Sequence, residues 1–312
     1  MKAFIFDPLW DELITDEGRA ALADSNIEAV VIKEIAPISD CASLFEGTDE
    51  RIICINPDYV EWNLKAEDYK NIPNLRAILG EATSFSWIDA SYATEQNIPV
   101  CNIRGFSSNA VADWAILMML NVARRVPELV KDGFPLDYDK DFMKYRGVDL
   151  RGKTAAIVGF GRIGAAIAER CAGLGMNVAY WSANSRPEDY EYMEIADLFV
   201  RADVVFPVMA INESSKAVIT HSLIDSMKPS AIIVNVVEDL FDTEYVLQKV
   251  ADGKLFGFGF EAHPASFVKY KGNVWAAPAY GWVTDSSMYA VESHSIQNMV
   301  NAASGKFPNR VN

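Results

Sequence analysis

Apolar and polar positions run along this chain in two successive rounds of strand and helix. In the first hundred residues KAFIFD, EAVVIK, RIICIN and LRAILG are short, continuous apolar runs. Each has the length of a buried strand. Between the first two lies DELITDEGRAALADS, whose apolar residues recur at helical spacing. Runs that are apolar throughout predict strands covered on both faces, so the pattern predicts a parallel sheet between layers of helix. A second round follows with TAAIVGF, MNVAYW, ADVVFPV, AIIVNVV and LFGFGF. The chain therefore reads as α/β with two parallel sheets. Between the rounds stands SSNAVADWAILMMLNVARRVPELV, which Ser107, Ser108 or Asn109 can cap. It is more apolar than a surface helix, which predicts a long helix buried on more than one side, at a domain or subunit interface. A loop rich in Asp, Gly and Pro, from Asp132 to Asp149, separates it from the second round.

The second round opens on RGKTAAIVGFGRIGAAIAERCAGLGMNVAYW, with glycines at Gly159, Gly161 and Gly164 in the spacing GxGxxG. That spacing alone is common. Here a buried strand precedes it, a helix follows, and a second strand comes next, which is the setting the motif requires. Gly159 permits the tight turn, Gly161 lets a pyrophosphate approach the backbone, and Gly164 lets helix and strand pack closely. Arg162 and Ile163 open the helix, whose free N–H groups meet the phosphates. A carboxylate is expected at the end of the second strand, about 20 residues on, to hold the ribose 2′-hydroxyl. Ser182 stands there instead, followed by Asn184, Ser185 and Arg186. Without the carboxylate nothing repels a 2′-phosphate, and Arg186 is placed to pair with one, so the cofactor predicted is NADP, with NAD as the alternative.

Composition narrows the partners. The chain has 312 residues, half of them hydrophobic, and a formal charge of −15. That length favours two domains, and the acidic surface disfavours nucleic acid or anionic membrane as a partner. No apolar run reaches the roughly 18 residues a membrane span needs. The start, MKAFIFDPLW, lacks the pattern of a signal peptide. Cys41, Cys54, Cys101 and Cys171 are scattered without CxxC spacing, which reads as reduced thiols in a cytoplasmic protein.

With these blocks in order, the chain resembles the D-isomer-specific 2-hydroxyacid dehydrogenases nearly end to end. The resemblance is carried by NLRAILG, WIDASYATEQNIPVCNIRG, AVADWAILMMLNVARR, DLRGKTAAIVGFGRIG, ADVVF, MKPSAIIVNV and the closing SGKFPNRVN. It implies two Rossmann-like or flavodoxin-like lobes with an interdomain cleft: residues 1–100 with 288–312 as the substrate lobe, and 101–287 as the dinucleotide lobe. It also implies a homodimer built on the helix that holds Trp114, Met118 and Met119.

The family's chemistry uses an arginine on the substrate carboxylate, a histidine that moves the proton, and a glutamate that holds the histidine protonated. Mapped block by block, the arginine's place is Glu238, the glutamate's is about Ser266, and the histidine's is Ala279. Ala82, Ser84 and Ser86 replace the glycines and aspartate of the substrate loop, and Arg104 stands in the hinge turn. Glu238 repels a carboxylate rather than binding it. The expectation is therefore an NAD(P)-dependent oxidoreductase that transfers hydride between nicotinamide and a small carbonyl or alcohol, other than an ordinary 2-oxo acid. Glu238 is the expected site residue, Arg104 and Ser84 the expected substrate contacts, and Tyr280, His263 or Glu261 the group that handles the proton. The alternative is a nucleotide-binding sensor or partner protein that kept the fold and lost the chemistry.

Overall fold

Each apolar run of the first hundred residues becomes a strand in the computed structural model. The strands are β1 (Lys2–Phe6), β2 (Glu28–Ile32), β3 (Arg51–Ile55), β4 (Leu75–Gly80) and β5 (Val100–Cys101), all parallel, in the order β2-β1-β3-β4-β5. The structure describes residues 1–134, 142–184, 189–263, 265–266 and 269–312. This sheet belongs to a unit made of Met1–Phe106 and Thr284–Asn312. Every residue of β3 is buried, as a central strand covered on both faces must be. On one face Phe4, Phe6, Ile53 and Ile55 pack with Phe45 and Tyr59; on the other Ala3, Ile5, Ile52 and Cys54 pack with Ile296, Met299 and Ala302 of the last helix, Asp285–Ala303. Helix Asp16–Asp24 is fastened to that helix by a buried carboxylate: Glu292 accepts from the Thr15 N–H at 3.1 Å, while the Thr15 hydroxyl caps the Gly18 N–H at 3.0 Å.

The second unit, Ser107–Val283, holds seven parallel strands. They are β6 (Thr154–Val158), β7 (Asn177–Trp181), β8 (Glu191–Tyr192), β9 (Val204–Pro207), β10 (Ile232–Asn235), β11 (Gly257–Glu261) and β12 (Val274–Ala277), in the order β12-β11-β10-β9-β6-β7-β8. The order reverses between β6 and β9, and ligands of such sheets bind beyond the carboxyl ends of the strands at that point.

The long apolar helix is shorter than its pattern predicts. It runs over Ser108–Ala123 and stops where Arg125 takes φ 55°, ahead of Pro127 and a separate helix over Val126–Lys131. Pro127 has no N–H to give the Ala123 carbonyl, so it cannot continue that helix and instead stands in the first turn of the next. Ser107 is the N-cap residue, without a side-chain cap bond. Met118 and Met119, expected at a subunit interface, are wholly buried in this unit's own core beside Val122, Ile157 and Val234. The helix exposes Asn109, Asp113, Leu117 and Leu120. Among the described residues no helix is long and apolar enough to cross a membrane.

Candidate cofactor and active site

The glycine loop follows β6 directly, and each glycine answers to a different neighbour. Gly159 takes φ 101°, and a Cβ there would stand 2.8 Å from the Met209 backbone nitrogen, beyond β9. A Cβ on Gly164 would stand 2.3 Å from the Gly159 carbonyl oxygen. Gly161 has nothing within 4 Å, so its side of the loop is open. It is also the N-cap of helix Arg162–Gly173, so Arg162 and Ile163 begin a helix whose first N–H groups have no side-chain cap among the described residues. Two crowded glycines, one open one, and a bare helix N-terminus at the switch point fit the pyrophosphate of a dinucleotide.

Past β7 stands Ser182, the residue expected at the ribose. Its side chain is buried, and its hydroxyl accepts from the Asn184 N–H at 3.4 Å. Ser185 and Arg186 lie outside the described residues.

At the other side of the switch point the strand ends carry acids. Glu238 sits three residues beyond β10, exposed, in a turn whose next residue, Asp239, has φ 56°. Glu261 is the last residue of β11 and is half-buried. One of its oxygens accepts from the Gly281 N–H at 3.0 Å. Trp114 closes the same corner, since a Cβ on Gly281 would meet Glu261 Oε1 at 2.8 Å and Trp114 Cδ1 at 3.0 Å. The Trp114 indole N–H is buried without a hydrogen-bond partner of good geometry among the described residues. Burial first, and then the charge of Glu238, push the Glu261 carboxyl up to about 7, against the opposing pull of the Gly281 N–H and, more weakly, of the Trp114 indole.

The remaining expected residues are more loosely held. Tyr280 is 61% exposed, and His263 is exposed with no hydrogen bond to its ring among the described residues. The Ser266 hydroxyl serves its own loop, accepting from the Lys269 N–H at 3.2 Å, and Ala279 is exposed. In the first unit the Arg104 Nε donates to Asn102 Oδ1 at 3.2 Å, and Ser84 shares a 3.3 Å hydrogen bond with Ser86. The structure thus groups Glu261 with Glu238 and groups Ser84 and Arg104 with local partners only. The placing of Trp114 and Gly281 around Glu261 has no counterpart in the sequence: the three positions are far apart in the chain, and no local signal joins them.

The first unit has its own acid pair. Asp7, just past β1, accepts from the Leu9 N–H at 2.9 Å and from Asn56 Nδ2 at 3.3 Å. Glu81, just past β4, accepts from the Cys54 thiol at 3.4 Å. Both acids are buried. Burial and the Asp7 charge push Glu81 up to about 8, and burial raises Asp7 as well. With two N–H donors on Asp7 and a weak thiol donor on Glu81, Glu81 keeps the proton and Asp7 the charge.

The profile of the NAD-binding domain of the D-isomer specific 2-hydroxyacid dehydrogenases matches residues 116–279. The chain belongs to that family. It is 31% identical over 256 residues to the glyoxylate reductase of Thermococcus litoralis, covering 77% of each chain. It is 26% identical over 262 residues to the glycerate dehydrogenase of Methylorubrum extorquens, covering 80% of this chain and 82% of the relative. Among solved structures, the TT0316 protein of Thermus thermophilus superposes with a TM-score of 0.82 at 25% identity over the whole of both chains. As a member of the 2-hydroxyacid dehydrogenase family the chain is an oxidoreductase that acts on CH–OH groups and uses a nicotinamide dinucleotide. That cofactor accepts or gives a hydride; the residues around Gly161 are the ones that would hold its pyrophosphate.

Proposed function

We propose that this oxidoreductase works on a small carbonyl or alcohol that carries no carboxylate, neutral or cationic, in place of an ordinary 2-oxo acid. One observation carries the reading. Beyond β10, where the family resemblance expects an arginine, the chain presents Glu238, near enough to Glu261 that its charge helps hold that carboxyl protonated. A 2-oxo acid would bring a third negative group to this edge. Glu238 is exposed, so the repulsion is smaller than a desolvated site would give, about 1 kcal/mol per close contact in water. The loss of the arginine's bidentate grip adds to it.

We further propose NADPH over NADH, supported by Ser182 where a carboxylate would exclude the 2′-phosphate, and a homodimer, supported by the two leucines, Leu117 and Leu120, that this helix leaves exposed. The four free cysteines, three of them buried, support a reducing, cytoplasmic setting. The deciding experiment is a panel of glyoxylate, glycolaldehyde and dihydroxyacetone, each with NADPH and NADH. Turnover of glycolaldehyde or dihydroxyacetone with NADPH, lowered in Glu238→Gln, is the expected result. Glyoxylate reduction near the typical enzyme rate of about 10 s⁻¹ refutes the substrate reading. Equal affinity for the two dinucleotides refutes the cofactor preference, and a monomer by light scattering at micromolar concentration refutes the dimer.

A further inference from the structure

Hydride transfer to a carbonyl leaves an oxygen that needs a proton, and the family's histidine position holds Ala279, which has none to give. We propose that Glu261 is the proton-transfer residue of this chain, standing in for the absent imidazole. The inference rests on the oxidoreductase reading above and names the group that reading leaves open.

Position comes first. Glu261 ends β11 on the carboxyl edge of the sheet that carries the glycine loop, where doubly wound sheets present their ligands. Its neighbours there come from two other segments: Glu238 from the turn after β10, and the Gly281 N–H from the loop after β12. Orientation comes next. The 3.0 Å hydrogen bond from Gly281 fixes one carboxyl oxygen, and Trp114 walls the corner on the helix side. The carboxyl remains half-buried rather than sealed, so its second oxygen has a route to a bound substrate.

Electrostatics then suit it to both directions of the reaction. Burial and Glu238 favour the neutral acid, which has a proton to donate. The Gly281 N–H stabilises the carboxylate that donation leaves behind. The Trp114 indole, at the same corner, adds a weaker pull in the same direction. The result is a carboxyl that titrates near 7, where a general acid–base group is most effective. Of the other groups facing this corner, Glu238 is exposed and its part is the field it exerts; Tyr280 is 61% exposed and its ring is unsupported by any described hydrogen bond.

In the reducing direction the bound dinucleotide would supply the hydride that makes the new C–H bond at the carbonyl carbon. The C=O π pair moves to oxygen, the Glu261 O–H bond breaks, and its proton goes to that oxygen. The alcohol leaves and the Glu261 carboxylate takes a proton back from solvent; the two electrons of the hydride would come from the cofactor. Oxidation of the alcohol runs the same steps backwards, with the carboxylate as base.

The test compares native protein with Glu261→Gln, which keeps an oxygen for the Gly281 N–H but carries no titrating proton. Rates are taken on glycolaldehyde, dihydroxyacetone and glyoxylate between about pH 5 and pH 9, and isotope-edited infrared spectra of the glutamate carboxyls follow the same range without cofactor. The expected result is a loss of roughly 10²–10⁴ in kcat with KM changed only a few-fold, a pH profile whose limb near 7 disappears, and the loss of one carboxyl titrating near 7 in the infrared. Full retention of kcat in the variant, or a Glu261 carboxyl that titrates near the ordinary 4.5, overturns the assignment while leaving the substrate reading intact. A preference for glyoxylate that Glu261→Gln still abolishes overturns the substrate reading and upholds the assignment. Failure to turn over any of the three carbonyls overturns both.

Discussion

Asp7 and Glu81 stand past the carboxyl ends of β1 and β4; Glu238 and Glu261 stand beyond and at the ends of β10 and β11. The first pair has both members raised, Glu81 the further, to about 8, and the second has Glu261 raised to about 7; for Glu81 and Glu261 alike burial is the larger cause and the neighbouring acid a smaller one. The surroundings separate them. In the first pair both carboxyls are enclosed, and their hydrogen bonds run to β-strand ends and turns of the same unit. In the second, one acid is exposed and the other half-buried. A raised carboxyl is therefore not by itself a sign of catalysis. Enclosed, it can act only on stability; open on a ligand edge, it is free to exchange its proton with a substrate.

The largest effect that sharpens this contrast is the pH dependence of stability. Folded Glu81 keeps its proton up to about pH 8, while the unfolded carboxyl loses it near 4.5. Between those values the folded state binds more protons, so rising pH favours unfolding; below about 4.5 the penalty is absent, and above about 8 it is constant. Urea unfolding should show stability falling by a few kcal/mol from about pH 5 to about pH 8, with a slope of at most roughly 1.4 kcal/mol for each step of one in pH. Glu81→Gln should flatten most of that slope and leave turnover within about threefold, because the buried side chain presents no exposed face to a ligand. A variant with the native slope would break the comparison, and so would one that loses turnover like Glu261→Gln.

A smaller effect should follow from crowding the open pair. In Gly281→Ala the new methyl carbon would lie 2.8 Å from Glu261 Oε1, so the carboxyl must swing away and lose its N–H donor. The Glu261 carboxyl is the end of a flexible side chain, but the Trp114 ring at 3.0 Å must also give, so stability should fall by about 1–3 kcal/mol. Turnover should fall about tenfold, as for a displaced acid–base group. Equal stability with unchanged turnover would show that the position of Glu261 is immaterial.

How much of this was legible in the chain depended on whether the signal was local. Long β-branched runs such as RIICI and TAAIV announce their strands, and the glycine motif announces its loop, because turn, close approach and helix start are all met within six residues. The two-residue strands β5 and β8 carry no periodicity at all, and β12, VWAA, is half alanine with little strand preference. The break at Arg125 was written in Pro127 but overridden by the apolar pattern on both sides of it. Met118 and Met119 read as too apolar to face water, and what covers them within this unit, Ile157 and Val234 among others, arrives from strands far along the chain. Glu238 was placed by the order of the family blocks. The corner formed by Trp114, Glu261 and Gly281 is made by three distant segments, and only the fold brings them together.

The smallest effect tests the coupling inside the open pair. Glu238→Gln removes the charge that helps keep Glu261 protonated, while burial, the larger cause, stays. The Glu261 carboxyl should therefore titrate at lower pH than in the native protein, but still above the ordinary value of 4.5. Because Glu238 is exposed, salt should mimic the substitution: raising the ionic strength from about 0.01 to about 1 M shortens the screening length from roughly 30 to 3 Å. The native carboxyl should move toward the Glu238→Gln value as salt rises, and the variant should move little. The enclosed Glu81, whose neighbour Asp7 is as buried as itself, should keep its titration in both proteins and at both salt concentrations. Infrared titration of the two carboxyls in one sample reads all of these at once. A Glu81 that follows the salt as Glu261 does would mean that water reaches both pairs, and the distinction between an enclosed acid and an open one would fail.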